Sequence, residues 1–229
     1  MIRKAIDRCG RDMVLSLSPG PAPLEHAESL KANANMWRVT DDFWDLWPLL
    51  LDMFERCEKW TEHVGPGRWP DCDMLPLGHL GIRSVDGGGS DRFTRFTKDE
   101  QLTMMTLWSI FRSPLMFGGE MRDNDKWTLS LLTNRDVLYL HRHGFGAHQV
   151  SREAEKIVWI AKDNEGAVYA ALFNVGDDAA TVSVSMVQLG LTHNPQGKEL
   201  WTGERANVSD GQLSANLPPH GTALYRLEP

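Results

Sequence analysis

Met36-Trp37-Arg38-Val39-Thr40-Asp41-Asp42-Phe43-Trp44-Asp45 joins the end of an apolar run to three carboxylates, one arginine and two tryptophans. Ala34 to Val39 reads as a short strand. From Trp47 the spacing becomes helical, with Trp47, Leu50, Leu51, Phe54 and Cys57 on one face and Pro48 in the first turn. A buried strand, a polar strand end and a helix form one unit of a parallel α/β fold. The side chains suit sugar chemistry: carboxylates protonate or stabilise a glycosidic centre, tryptophan offers an apolar face, and arginine a planar fork of donors. The same composition also suits a solvated acidic helix start above a tryptophan core.

Working outward, the same unit recurs. Residues 1 to about 9 read as a helix closed by Gly10, and Met13-Val14-Leu15-Ser16-Leu17-Ser18 as a strand broken by Pro19-Gly20-Pro21. Residues 24 to 31 are weakly helical, Gly65-Pro66-Gly67 is a turn, and Asp73-Met74-Leu75-Pro76-Leu77 is a strand end or loop. Thr97-Lys98-Asp99-Glu100 is a capping box opening a helix to about Arg112, which Ser113-Pro114 stops. Leu115-Met116-Phe117 is a further short apolar run, and one helix is expected from about Asp125 to Leu140. Alternation of this kind over residues 1–149 predicts a parallel sheet with covering helices. Ser18, Asp42 and Asp73 each follow an apolar run, on the strand-end face that carries the site in such folds.

After about residue 150 the texture changes. Ile157–Ile160, Val168–Phe173, Thr181–Val184 and Ala223–Leu227 are rich in β-formers and separated by turn residues such as Asp163-Asn164-Glu165-Gly166. Residues 150–229 therefore read as a small antiparallel β-sandwich.

The chain has 229 residues, 41% of them apolar, with nine tryptophans and a formal net charge of −7. It has no basic run, which argues against nucleic acid and anionic membranes as partners. No apolar stretch reaches the roughly 18 residues of a membrane span. The charged start Met1–Asp7 is not a signal peptide. Cys9, Cys57 and Cys72 lack Cys-x-x-Cys spacing, allow one disulfide at most, and read as buried small hydrophobes. Gly87-Gly88-Gly89 lacks the Gly-Lys-Ser/Thr ending of a phosphate loop. His141-Arg142-His143 suits a helix C-terminus better than a metal pair, and Asp123-Asn124-Asp125 an N-cap cluster better than a calcium loop. His79 suits a pocket wall and a strand cap equally.

Three segments carry a family resemblance: Trp37-Arg38-Val39-Thr40-Asp41-Asp42, then Gly65-Pro66-Gly67-Arg68-Trp69-Pro70-Asp71-Cys72-Asp73-Met74-Leu75, then Ser113-Pro114-Leu115-Met116 to Asp136-Val137-Leu138. In order and spacing they resemble glycoside hydrolase family 27, the α-galactosidases and α-N-acetylgalactosaminidases. The resemblance implies the C-terminal half of a (β/α)₈ barrel followed by the β-sandwich, a retaining exo-hydrolysis of terminal α-galactosides, a carbohydrate substrate and no cofactor or metal. It makes Asp42 the general acid/base. Arg38 would position sugar and carboxylate, Asp73 and Met74 would bind the sugar, Ser18 would lie where C2 is read, and Trp37 and Trp69 would be wall or core. The family's nucleophilic aspartate ends the fourth barrel strand in a Lys-x-Asp context. No residue of this chain fills that role, so the expectation is a partial barrel that is inactive alone and completed by the N-terminal half or by self-association. The alternatives are an α-N-acetylgalactosaminidase and a non-catalytic carbohydrate-binding or structural remnant.

Overall fold

The structure, a computed structural model, describes residues 1–82, 90–192 and 195–228. The Gly87-Gly88-Gly89 stretch lies outside the described residues. Three short strands, β1 (Ser16–Leu17), β2 (Met36–Arg38) and β3 (Trp69–Asp71), form a parallel sheet in chain order, with Ser16 opposite Met36 and Met36 opposite Trp69. A parallel bridge from Leu75 to Phe117 continues the progression to the Leu115–Phe117 run. The connections are helical: α1 (Ile2–Arg8) precedes β1, α2 (Ala27–Asn33) links β1 to β2, α3 (Trp47–Trp60) links β2 to β3, and α4 (Lys98–Phe111) leads to the Phe117 bridge. This is the expected α/β architecture, a partial barrel.

Each element has a local cause. In β2, alternation sends Trp37 outward, fully buried against Trp60 of α3 at 5.9 Å, and leaves Met36 and Arg38 on the opposite face. Pro48 occupies the first turn of α3. Thr97 and Glu100 form the reciprocal capping box of α4, and Arg112 ends that helix in the left-handed region. The single helix expected from Asp125 to Leu140 is instead two, α5 (Lys126–Leu132) and α6 (Arg135–His143). The Asn134 side-chain oxygen accepts from the Asp136 and Val137 amides at 3.1 Å each, so it starts a new helix inside an otherwise continuous apolar pattern. An antiparallel hairpin, β4 (His79–Leu80) and β5 (Arg92–Phe93), stands between β3 and α4 and has no counterpart in the sequence reading.

The second region pairs β6 (Phe145–Glu153), β7 (Lys156–Lys162), β8 (Val168–Asn174), β10 (Gln196–Glu199) and β13 (Thr222–Glu228) in the order β10-β13-β8-β7-β6. A smaller sheet, β11-β12-β9, is built from β9 (Ala180–Ser185), β11 (Val208–Ser209) and β12 (Gln212–Leu217). Because β6 begins at Phe145, the change of texture read near residue 150 falls within the first strand of the sandwich. The central strands β7 and β8 of the larger sheet are buried on both faces. Val158, Ile160, Ala170 and Leu172 face the smaller sheet, while Ile157, Trp159, Tyr169 and Phe173 join the core under α3 and α4. That explains why Val168–Phe173 reads as a continuous apolar run and not an alternating one. Among the described residues no helix is long and apolar enough to cross a membrane.

Candidate active site

The site is assembled from the C-terminal ends of β2 and β3. Arg38, the last residue of β2, is 11% exposed, and its guanidinium reaches two carboxylates. One Nη donates to Asp42 Oδ1 at 2.7 Å, and the other lies 3.2 Å from Asp73 Oδ1. Asp42 is 83% exposed and Asp73 only 18%. The pair is therefore asymmetric: one open carboxylate on a loop and one seated in the wall.

Asp73 is fixed at nearly every polar group. Its φ is +73°, a left-handed conformation unusual for a non-glycine residue. Its amide donates to Asp71 Oδ1 at 2.9 Å, its carbonyl accepts from the Trp108 indole at 3.2 Å, and its Oδ2 accepts from the Phe43 amide at 2.8 Å. Each carboxylate oxygen keeps a further lone pair for a hydroxyl donor. Asp71 is buried, and that desolvation raises its pKa above the ordinary carboxylate value. Met74 is half-buried and seated over Gly118, where an added Cβ would lie 2.6 Å from the Met74 sulfur. Ser18 is exposed one residue beyond β1, and the following loop meets the β2 loop at Gly20, whose Cβ would lie 3.2 Å from Asp41 Oδ1.

Asp45 and Asp41 separate clearly. Asp41 is exposed, while Asp45 is buried and accepts both guanidinium arms of Arg92, at 2.7 and 2.6 Å, plus the Arg95 amide at 2.6 Å. Nothing in the sequence marked Arg92, because its partner lies 47 residues away and the hairpin strands are two residues long. Trp37 is core, and Trp69 lies half-buried beneath the Arg112 guanidinium at 4.8 Å. His79 is held between Asp91 at 2.6 Å and Asp123 at 2.5 Å and stacks on Phe93. His141 sits in the last turn of α6, bonded to the Ser113 carbonyl at 2.7 Å, and burial lowers its pKa. Asp125 caps α5 through the Thr128 amide. Cys57 and Cys72 are buried free thiols 3.6 Å apart, and Cys9 is exposed rather than buried. Among the described residues no cluster of three histidine, cysteine or carboxylate ligands could hold a metal.

Comparisons with known proteins agree with the fold. Residues 1–143 match the model "Alpha galactosidase A" and residues 153–227 the model "Alpha galactosidase C-terminal beta sandwich domain". Alpha-galactosidase 2 of Arabidopsis thaliana is 27% identical over 84% of this chain and 46% of its own length. The crystal structure of a family 27 β-L-arabinopyranosidase from Geobacillus stearothermophilus is 62% identical, with a TM-score of 0.97, covering 100% of this chain and 52% of that one. A Bacillus halodurans structure ascribed α-N-acetylgalactosaminidase function is 50% identical, with a TM-score of 0.84, over 100% of this chain and 52% of that one. The chain thus spans about half the length of the relatives it matches. It belongs to glycoside hydrolase family 27, the α-galactosidase family.

Proposed function

We propose that this chain carries the proton-donor half of a retaining exo-glycosidase site, and that the sugar removed is a β-L-arabinopyranose. Arg38 bridging an open and a seated carboxylate supports the site reading. Identity of 62% over the whole chain to a β-L-arabinopyranosidase, against 27% to a plant α-galactosidase, supports the choice of sugar. The two sugars share the ring configuration and differ by the C6 hydroxymethyl group. A terminal α-galactoside is therefore the second reading, favoured by the family models.

In this reading Asp42 donates its proton to the glycosidic oxygen as the C1–O bond breaks. It then takes a proton from the water that releases the sugar. Its exposure suits a group that must meet leaving group and water in turn. Arg38 sets its direction, Asp73 accepts from ring hydroxyls, Met74 forms an apolar wall, and Ser18 stands at the C2 side of the rim. Retention also needs a second carboxylate that attacks C1, and this reading assigns that role to none of the described residues.

The test fuses this chain behind the complementary segment of the Geobacillus enzyme. The measurement is kcat/KM for aryl β-L-arabinopyranoside over aryl α-D-galactopyranoside. A ratio of about 10 or more is expected, since one such group is worth roughly 10–200-fold. A ratio below one makes the protein an α-galactosidase. Turnover of neither by the fusion overturns the enzymatic reading. The isolated chain should turn over neither.

A further inference from the structure

We propose that Asp45 and Arg92 are positioning residues for Asp42, with the β4–β5 hairpin holding the proton-donor loop through a buried two-point ion pair. The inference rests on the reading of Asp42 as proton donor.

Asp42 itself is poorly constrained. Its side chain is 83% exposed, and it lies on the loop between β2 and α3. A working carboxylate must stay within a fraction of an ångström of its productive place. The next three residues supply that constraint from two sides. On one side the Phe43 amide donates to Asp73 Oδ2 at 2.8 Å. On the other, Asp45, with a fully buried side chain, receives Arg92 Nη1 on Oδ2 at 2.7 Å and Nη2 on Oδ1 at 2.6 Å. The Arg95 amide adds a third bond at 2.6 Å, and the Arg92 guanidinium lies 5.8 Å from the Trp44 ring centroid.

A fork meeting a carboxylate at two points fixes orientation as well as distance. A buried ion pair adds little stability over a packed apolar pair, so conformational definition is its better-attested use. The anchor is itself firm. The Thr94 amide donates to the Gly78 carbonyl at 2.9 Å, and His79 is pinned between Asp91 and Asp123. Asp45 is too buried to touch a substrate, so its effect reaches the chemistry through Asp42.

The test reads the 229-residue chain by nuclear magnetic resonance. Arg38 is held between Asp42 and Asp73, so its Nη–H signals report the site, and among the described residues no hydrogen bond or ion pair joins Arg92 to any of these three groups. In Arg92→Ala the Arg38 Nη–H signals should broaden away. The Phe43 amide should exchange about tenfold faster or more, with amides of α4 and β8 unchanged. Arg92→Lys keeps the charge, loses the fork and should fall between. It also carries the test if the alanine variant does not fold. Unchanged Arg38 and Phe43 signals in the folded variants, with faster exchange at Thr94 alone, would mean that the pair anchors only the hairpin, and would overturn the proposal. In the active fusion, Arg92→Lys should slow substrates with poor leaving groups more than those with activated ones; equal slowing would also overturn it. The resonance readout uses neither sugar nor turnover, so its failure is distinct from failure of the hydrolase reading.

Discussion

In the α/β region the strands are two or three residues long, and β2 and β3 both end in charged side chains aimed at one site, whereas in the sandwich they run to nine residues. Short barrel strands turn quickly into loops, and the loops hold Asp42, Asp45 and Asp73. The long strands are occupied with packing: all seven residues of β8 are buried. The contrast is one of use and not of independence. Phe54 of α3 meets Phe173 of β8 edge-on at 4.9 Å, and Phe111 of α4 meets Trp159 of β7 at 6.4 Å. Polar links cross as well, from the Trp201 indole to Thr106 and from Thr103 to the His220 carbonyl. The sandwich thus serves as the back wall of the half that carries the site.

The sharpest way to break this division of labour is to remove chemistry without touching the fold. In the active fusion, Asp42→Asn should lower kcat/KM for a glycoside with a poor leaving group by about 10²–10⁴-fold. The unfolding midpoint should stay put, since Asp42 is largely exposed. A loss shared equally by activated leaving groups would show that Asp42 acts other than by donating a proton.

The converse change lies on the shared wall. Phe173→Ala deletes a fully buried ring and should cost about 3–5 kcal/mol in denaturant unfolding. Because that ring belongs to the core containing Trp37 and Phe54, the two regions should unfold in one transition. Two separated transitions, with only the sandwich weakened, would make the regions independent and overturn the back-wall view.

Much of this was legible in the sequence, for reasons that differ by residue. Arg38, Asp42 and Asp73 stood out because strand-end polarity and motif spacing are local signals, and the structure brings all three together. Their chemical roles remain a proposal. Ser18 was expected from strand-end polarity and Met74 from the family resemblance; the first is exposed one residue beyond β1 and the second packs over Gly118. The Asp45–Arg92 pair was hidden because its partners are remote in sequence, and Asp73's left-handed backbone because no glycine advertised it. The α5–α6 break was missed although its cause, a capping asparagine, is local. There the apolar pattern ran straight through the break and masked it.

The capping box at Thr97 was read from four residues and tests whether such local signals carry energy where the two regions meet. Thr97 accepts from the Glu100 amide at 3.2 Å, and the Thr97 amide donates to Glu100 at 2.7 Å. Thr97→Ala should cost about 1 kcal/mol of unfolding free energy. The same α4 residue Glu100 also meets His220 at 2.9 Å, so loss of the cap should loosen the α4–sandwich contact. Glu100→Gln keeps one acceptor oxygen, which serves the Thr97 amide, and turns an NH₂ donor toward His220, so it should cost less. Equal losses would assign the energy to the charge and not to the cap.

The smallest effect concerns the hairpin, and its sign is fixed by proton linkage. His79 faces Asp91 through Nε2 and Asp123 through Nδ1, with Phe93 on its ring face at 4.8 Å. A neutral imidazole donates one hydrogen bond, whereas the protonated ring donates to both carboxylates. Asp91 first, then Asp123, accordingly hold its pKa above the ordinary histidine value. A raised folded pKa means that protonation favours the folded state. The contribution should be complete below the unfolded value of about 6.5 and fade as pH rises through the raised one. The measurement is the unfolding free-energy difference between the wild type and His79→Gln from pH 5.5 to 8.5. It should favour the wild type most at the acidic end and shrink steadily toward the alkaline end. Added salt should flatten the slope, because both carboxylates are solvent-facing. A difference independent of pH would mean that the ring stays neutral in the hairpin, held by stacking on Phe93 and one hydrogen bond, and the hairpin's rigidity would then owe nothing to charge.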